Sequence, residues 1–176
     1  MENKLNLRVY LDFIDAPNGT CCRSFYKFFQ NEMGQAPGSK SKHQAWRGGY
    51  VDHLEETMSF AVDIYYLMER ERKMSFSLSD AILVLFLHDI EKIFKYTRHF
   101  TYRFDNRKDE EAYKAELISL FGFELTDDHK NALKYVHGEG EDYSSTERVQ
   151  GPLAAFVHIC DVASARIWFD YPKKYR

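Results

Sequence analysis

One stretch constrains the fold of this 176-residue chain more than any other, because it is apolar throughout and then ends in two polar residues. Every residue from 81 to 87 is apolar, and His88 and Asp89 follow directly. Ser77 with Asp80 three residues later is typical of a helix start. The run is too short to cross a bilayer and is apolar on every face, so it predicts the buried central helix of a soluble domain.

The polar pair at the end of this helix needs a partner. Burying an unpaired ionised carboxylate costs on the order of several kcal/mol. A divalent cation is the most economical partner for His88 and Asp89, since neutral imidazole and carboxylate are both good metal ligands. Two other apolar segments each carry one such residue, His53 in a helix predicted over residues 50–72 and Asp161 in a helix predicted over residues 152–169. Four such residues on three core helices favour a common role over unrelated structural pairs.

The rest of the chain predicts an all-α fold of about six or seven helices. Further helices are expected over residues 4–14, 24–33, 108–122 and 127–136, from helical spacing of apolar residues and from capping residues. Residues 34–42 are expected to form a polar loop, and residues 97–107 a loop near the site mouth. We interpret residues 1–176 as a single domain, with a motif core over 42–168 preceded by N-terminal helices and a loop over 1–41.

Composition excludes several classes of protein. A hydrophobic content of 44% argues against disorder, and a net charge of −3 without a long basic run argues against a duplex nucleic-acid binder. The three cysteines, Cys21, Cys22 and Cys160, have no zinc-site spacing and are expected to be reduced thiols. With no signal peptide or membrane span in the sequence, we expect a cytoplasmic protein without a membrane partner.

The order of the four polar residues, together with their flanking residues, resembles the HD-domain superfamily of metal-dependent phosphohydrolases. Residues 46–53 (WRGGYVDH) are similar to the aromatic-x-Gly-Gly-hydrophobic pattern before the first histidine of that family. Residues 86–92 (FLHDIEK) are similar to its L-H-D-I-G-K motif, and residues 159–165 (ICDVASA) to its last, Ala-rich aspartate helix. The resemblance covers about residues 42–168 and implies an HD-type helical bundle whose metal ligands are His53, His88, Asp89 and Asp161.

Two residues after the His-Asp pair are candidates for catalysis alongside Asp89. Glu91 replaces the glycine of the family motif, and some nucleotide-cleaving HD enzymes use a nearby acidic residue to position water; the alternative is an exposed or salt-bridged glutamate. Lys92 lies four residues after His88, hence on the same face of a continuous helix. In that position the lysine of the family approaches the substrate phosphate, and the alternative is a surface lysine.

Other candidates have weaker signals. His137, in the sequence Val-His-Gly-Glu, resembles the stretch that supplies a second metal ligand in two-metal HD proteins, although the doubled histidine is missing. His158 precedes Asp161 by three residues and is either a second-metal or substrate ligand or a core histidine. Arg47, Lys95 and Trp46 are candidates for substrate binding, the first two for phosphate and the last for a base.

The function implied by the resemblance is hydrolysis of a phosphate ester of a small nucleotide or deoxynucleotide by metal-activated water. The expected cofactor is one or two divalent ions per chain (Mn, Co, Zn, Fe or Mg), and the oligomeric state, monomer or homo-oligomer, is left open. Alternatives within the superfamily are a 3'-5' exonuclease or a cyclic-nucleotide phosphodiesterase. Outside hydrolysis, the alternatives are a di-iron oxygenase, which would need both His137 and His158 as ligands, and a non-catalytic nucleotide-binding module.

Overall fold

The computed structural model describes residues 6–96 and 106–170, and these residues contain α-helices and no β-strand. Six α-helices have nine residues or more and two have five, which confirms the all-α prediction. In chain order they are α1 (Leu7–Leu11), α2 (Asn18–Met33), α3 (Gly49–Glu71), α4 (Leu78–Leu87), α5 (Lys92–Tyr96), α6 (Arg107–Leu120), α7 (Asp127–Tyr135) and α8 (Pro152–Val162). None of the helices in these described ranges is long and apolar enough to span a membrane.

Helix α4 is the buried central helix that the sequence predicts. Ser77 caps it, since its Oγ accepts from the backbone N–H of Asp80 at 3.1 Å while Asp80 Oδ2 accepts from the Ser77 N–H at 2.8 Å. Residues 81–87 are all buried. Helices α2, α3, α7 and α8 pack around α4, so α4 lies at the centre of the bundle.

Helix α4 ends at Leu87, and residues 88–91 form a tight turn before α5 begins at Lys92. In that turn the N–H of Ile90 bonds to Leu87 O and the N–H of Lys92 bonds to Asp89 O, both with three-residue spacing. The expectation that His88 and Lys92 share one face of a continuous helix is therefore wrong. The polar pair therefore lies in the turn where α4 ends.

Helices α3 and α8 bring the other two polar residues to this point. Helix α3 matches its predicted range to within one residue at each end. Helix α8 begins at Pro152 as predicted, but its α-helical part ends at Val162 and a π-helix follows over Ala163–Ile167. Because a π-helix changes the register of the chain by about one residue per turn, it redirects the side chains just beyond Asp161.

The segment that precedes α3 folds back closely under the helix start. A Cβ on Gly49 would lie 1.8 Å from Gln44 O, so only glycine permits this approach. The N–H of Gln44 in turn donates to Phe169 O at 2.7 Å. Gln44 thus lies between the start of α3 and the segment that follows α8, and it is fully buried there.

The N-terminal helices differ from their predicted ranges. Helix α1 covers only Leu7–Leu11, and α2 begins at Asn18 rather than at residue 24. Both belong to the same hydrophobic core as α4: the ring of Phe25 packs edge-on against Phe86 at 5.9 Å between centroids. Most of the predicted loop over 97–107 lies outside the described residues.

Candidate metal centre

Four polar side chains from three parts of the chain converge at the end of α4. Helix α3 supplies His53, the turn after α4 supplies His88 and Asp89, and the last turn of α8 supplies Asp161. The exposed fractions of these residues are 0%, 0%, 3% and 6%, respectively, so they are almost entirely removed from bulk water. The structure therefore brings together all four residues that the sequence singles out as metal ligands.

The distances between their ligand atoms fit a shared cation. His53 Nε2 lies 3.3 Å from His88 Nε2 and 3.1 Å from Asp161 Oδ1, and His88 Nε2 lies 3.0 Å from Asp89 Oδ2. The two remaining histidine–carboxylate distances are both 3.7 Å. Ligands about 2.1 Å from one metal are about 3.0 Å apart in octahedral and about 3.4 Å apart in tetrahedral geometry. His53, His88 and Asp89 form one group whose ligand atoms are close enough to hold a metal ion, and Asp161 Oδ1 lies beside it, 3.1 Å from His53 Nε2.

Each of the two imidazoles uses its outer nitrogen, Nδ1, for a hydrogen bond, which leaves a lone pair on its inner nitrogen, Nε2. His88 Nδ1 donates to Leu85 O at 2.7 Å, and His53 Nδ1 lies 2.9 Å from Ser164 Oγ. A neutral imidazole protonated at Nδ1 has an unprotonated Nε2. Two such lone pairs facing one another at 3.3 Å require a cation or a proton between them. Anchoring of the outer nitrogen is also what orients histidine ligands in known metal sites.

The electrostatics of the cluster favour deprotonated ligands. Burial lowers the pKa of His53 to about 4, although its contact with Asp161 opposes the shift. Burial would raise the pKa of Asp161, but its contact with His53 and the nearby His88 outweigh burial and lower that pKa to about 2. Burial likewise opposes ionisation of Asp89, yet His88 and Lys92 beside it hold the pKa of Asp89 well below its usual range. Metal binding requires these protonation states.

The pKa of His88 shifts in the opposite direction from the pKa of His53. Burial lowers the pKa of His88, but the charge of Asp89 beside it and their contact outweigh burial, so the pKa is raised overall. Without a cation, His88 is therefore the residue that takes up a proton. A cation and that proton would compete for the same Nε2 lone pair, which makes metal affinity fall as pH falls.

Lys92 and Glu91 flank the cluster in different ways. The Lys92 ammonium forms an ion pair with Asp89 Oδ2, and its side chain is 12% exposed, which excludes a surface lysine. Glu91 Oε2 lies 3.3 Å from Lys114 Nζ, and Lys114 Nζ also donates to His88 O. Glu91 is thus salt-bridged, and burial raises its pKa. The sequence did not single out Lys114, since a lysine on the polar helix α6 has no distinguishing signal.

His137 and His158 lie on the open side of the cluster. His137 Nε2 is 3.8 Å from Asp89 Oδ1 and 4.0 Å from Asp161 Oδ2, and His137, His88 and Asp161 form a second group that can hold a metal ion. His158 Nδ1 donates to Val136 O at 2.7 Å. Burial lowers the pKa of His137. Both histidines face the space in which a substrate would meet the cluster.

That space is a cavity of about 730 Å³ beside the cluster. Its volume is typical of small-molecule sites. Asp161 connects it to the ligand set. The other lining residues include two cations, three imidazoles and one aromatic ring: Ser39, Lys42, His43, His137, His158, Val162, Ala165, Arg166 and Phe169.

The remaining candidates for substrate binding lie elsewhere. Trp46 Nε1 donates to Asp52 Oδ2 at 2.6 Å, and Lys95 Nζ pairs with Glu110 Oε1 at 2.5 Å. Arg47 is exposed. None of Trp46, Lys95 and Arg47 occurs among the described residues that line the cavity. Two cations that the sequence did not single out, Lys42 and Arg166, occur there instead.

Three buried polar residues behind His53 were also missed: Gln44, Glu56 and Ser164. Glu56 Oε2 accepts from Ser164 Oγ at 2.9 Å and from Gln44 Nε2 at 2.8 Å. One signal was present in the sequence, since Glu56 and Ser164 each lie three residues after a predicted ligand, on the same helical face. Their mutual contact spans 108 positions and has no local signature.

We compared the chain with known protein families, curated proteins and solved structures. No model of a known protein family matches the chain, and neither a curated protein nor a solved structure matches it.

Proposed function

We propose that the chain is a metal-dependent phosphohydrolase of the HD type that cleaves a phosphate ester of a small nucleotide or deoxynucleotide. The observation that carries the proposal is the convergence of two anchored imidazoles and two carboxylates, 3.0–3.7 Å apart, beside an open cavity. The order and flanking residues of these ligands, which resemble those of the HD superfamily, supply the reaction class.

The residues that would hold the cation are His53, His88, Asp89 and Asp161. When bound, a divalent cation supplies a Lewis acid for a phosphoryl oxygen and lowers the pKa of an adjacent water to roughly 7. The four ligands carry two negative charges in total, which one divalent ion neutralises. That balance removes the charge reason for Lys92 to remain on Asp89.

Lys92 then becomes available for the substrate. Its ammonium lies against Asp89 Oδ2, which is itself 3.0 Å from His88 Nε2. With the charge of Asp89 neutralised, the ammonium would bind a phosphoryl oxygen and stabilise the charge that develops there. His137, close to both carboxylates and half-exposed, is placed to exchange a proton with the leaving oxygen or with solvent.

The cavity supports a small substrate rather than a polymer. A polynucleotide is held through many phosphate contacts along a basic track. The cavity instead offers two cations, Lys42 and Arg166, and one aromatic ring, Phe169, in a volume of about 730 Å³. These features suit one nucleotide with its phosphate towards the cluster.

A second candidate is a two-metal enzyme, which includes the di-iron oxygenase alternative. The observation in its favour is the second group of possible ligands, His88, His137 and Asp161. Metal stoichiometry separates the two candidates: a fall from two ions to one in His137→Ala supports the two-metal site. One ion in both proteins leaves His137 a role in substrate or proton handling.

The proposal is tested by a phosphate-release screen with Mn²⁺, Co²⁺ or Zn²⁺. The substrates are nucleoside mono-, di- and triphosphates, cyclic dinucleotides, and single-stranded RNA and DNA. We expect release from a mononucleotide, abolished in Asp89→Asn. Shortening of oligonucleotides from one end with mononucleotides left intact would replace the proposal by the exonuclease alternative, and opening of a cyclic dinucleotide alone would replace it by the phosphodiesterase alternative.

A further inference from the structure

A chain of buried polar groups joins His53 to a histidine that has no role in the proposed function, His43. The chain runs through Ser164, Glu56 and Gln44, none of which has any appreciable exposure. Each link is a hydrogen bond of 2.7–3.0 Å. Each member has a limited set of donors and acceptors, so the direction of each bond can be derived.

The amide of Gln44 can adopt only one orientation. Its Nε2 lies 2.8 Å from Glu56 Oε2, 3.3 Å from Ser164 O and 3.4 Å from Trp168 O. The two backbone oxygens can only accept hydrogen bonds, so the NH₂ group must face them. The opposite atom, Oε1, is then the one that lies 2.7 Å from His43 Nδ1. Because Oε1 only accepts, Nδ1 of His43 must carry the proton.

The hydroxyl of Ser164 is determined in the same way. It has one proton, which it donates to Glu56 Oε2 at 2.9 Å. Its two lone pairs accept from Gln44 Nε2 at 3.0 Å and from His53 Nδ1 at 2.9 Å. The full capacity of the hydroxyl is used. One carboxylate therefore sets the tautomer of two imidazoles, through Ser164 on one side and Gln44 on the other.

His43 is held firmly as well as oriented. Ser39 Oγ accepts from the His43 N–H and donates to the His43 carbonyl, both at 2.8 Å. The ring centroid of His43 lies 4.9 Å from that of His53. Both Ser39 and His43 line the cavity. A fixed imidazole, whose Nε2 has no hydrogen-bond partner in the described part of the chain, therefore borders the space next to the cluster.

The chemistry of the Nε2 lone pair selects its ligand. His43 belongs to neither of the groups of described residues that can hold a metal ion. An imidazole Nε2 without a proton cannot donate to a phosphate oxygen, whereas it accepts from a hydroxyl or amino group. Phosphate has other partners in the cavity, Lys42 and Arg166.

We propose that Glu56, through Gln44 and Ser164, is a positioning residue for both His53 and His43, and that His43 accepts a hydrogen bond from a hydroxyl or amino group of the substrate. The identity of the substrate rests on the proposed function, since a nucleotide carries hydroxyl groups on its sugar and amino groups on several bases. His43 would thus recognise the sugar or the base of the substrate, while other residues bind its phosphate.

The positioning role has a spectroscopic test. Nitrogen-15 NMR of the histidine side chains distinguishes a protonated from an unprotonated ring nitrogen. In the full-length protein we expect His43 to be protonated at Nδ1, and in Gln44→Met, which keeps the volume and removes the acceptor, we expect a mixture of tautomers. Protonation at Nε2 in the wild type, or an unchanged signal in Gln44→Met, overturns the positioning role. Asp80→Asn, which alters a carboxylate at the far end of α4, is the matched control and should leave the His43 signal unchanged.

The substrate role is tested with nucleotides that lack one donor at a time: 2'-deoxy, 3'-deoxy and bases without the exocyclic amino group. We expect one such deletion to lower kcat/KM of the wild type about tenfold, and to have no effect in His43→Phe, which keeps the ring but not its nitrogens. Equal losses in the two proteins for every deletion overturn the substrate role.

The failure of this inference can be distinguished from failure of the proposed function. If the wild type binds nucleotides but does not hydrolyse them, phosphohydrolysis is wrong and the same comparison of deletions is made with dissociation constants. If it neither hydrolyses nor binds any nucleotide, both the proposed function and the substrate role of His43 are wrong. The tautomer measurement decides the positioning role in every case.

Discussion

Two clusters in this protein combine buried histidine with aspartate, at opposite ends of α4, and they are built differently. At the N-terminal end, His129 Nε2 lies 2.9 Å from Asp80 Oδ1, and His129 Nδ1 accepts from the Thr126 N–H at 3.1 Å. Asp80 also accepts from the backbone and hydroxyl of Ser77. Both nitrogens of the ring and both oxygens of the carboxylate have protein partners. This cluster is closed, and it caps α4 and α7.

At the C-terminal end of α4, the same residue types direct lone pairs at one another. His53 and His88 each use Nδ1 for a protein acceptor and direct Nε2 at the other, 3.3 Å away. Asp89 and Asp161 add oxygens at similar distances. The difference teaches that residue type alone does not make a metal site. What distinguishes the two clusters is whether lone pairs are paired within the protein or converge on a common point.

The largest difference between the clusters should appear in metal affinity. Replacing His53 or Asp161 by Ala removes a convergent ligand, and we expect affinity to fall by more than about 100-fold, since even partners outside the ligand set are worth 10–100-fold. His129→Ala should leave affinity unchanged. Competition with a chelator of known affinity measures all three variants. A loss of affinity in His129→Ala equal to that in His53→Ala would contradict the distinction.

Lys92 sharpens the comparison, because the closed cluster has no lysine on its aspartate in the described structure. Lys92→Ala should retain the metal while kcat/KM falls about 100-fold, as on losing one transition-state donor. Parallel metal analysis and kinetics provide the measurement. An unchanged kcat/KM would leave the lysine only the role of neutralising Asp89.

Stability in the presence of metal should separate the clusters as well. A cation at 100 times its dissociation constant stabilises the folded state by about 2.7 kcal/mol. For a chain of this size that corresponds to a rise in Tm of roughly 5–10 °C. We expect this rise in the wild type and in Asp80→Asn but not in His88→Ala. Thermal unfolding with and without added Mn²⁺ measures it, and an equal rise in His88→Ala would show that the ion binds elsewhere.

The closed cluster should instead contribute to stability without metal. Asp80→Asn weakens the bonds to Ser77 and His129, and we expect the free energy of unfolding to fall by about 1 kcal/mol, a typical value for a lost helix cap. Urea unfolding of the metal-free protein measures the change. Glu116→Gln, an exposed carboxylate on α6, is the control and should be neutral. A loss of metal affinity in Asp80→Asn would break the comparison.

The smallest expected effect is the pH dependence of the stability difference between the wild type and Asp80→Asn. Burial would raise the pKa of Asp80, but its hydrogen bonds with Ser77 and His129 outweigh burial and lower it. The unfolded state then binds more protons, so the stabilisation is present above the unfolded value of 3.8 and is lost as pH falls through the folded value. The gap between wild type and Asp80→Asn should therefore narrow below pH 3.8. A stability difference that grows as the pH falls would contradict the lowered pKa of Asp80.

The sequence predicted the open cluster better than the closed one, for a physical reason. A run of seven apolar residues followed by His88 and Asp89 conflicts with local expectation, so it is conspicuous without any tertiary information. His129 stands among polar residues, where a histidine attracts no attention, although Thr126 three residues earlier is a readable cap. Its partner, Asp80, is 49 positions away and was interpreted only as part of a capping box.

The parts of the site that were not predicted depend on long-range packing. The end of α4 at Leu87 and the π-helix at Ala163–Ile167 are register changes that no local signal announces. Gln44 and Ser164 are ordinary polar residues, and their contact joins positions 120 residues apart. The helices, their caps and the buried polar side chains that converge could be predicted, because periodicity and burial leave a local signal in the sequence. The network that orients the ligands could not, because it exists only once three segments have packed together.

The central claim is that His53, His88, Asp89 and Asp161 are metal ligands, and elemental analysis tests it most directly. The wild type, His88→Ala and His129→Ala are purified without chelator, supplied with Mn²⁺, Co²⁺ or Zn²⁺, and analysed after removal of free ion. We predict one or two ions per chain in the wild type and in His129→Ala, and a loss of at least one ion in His88→Ala. Equal metal content in all three proteins, whether zero, one or two ions, would contradict the account.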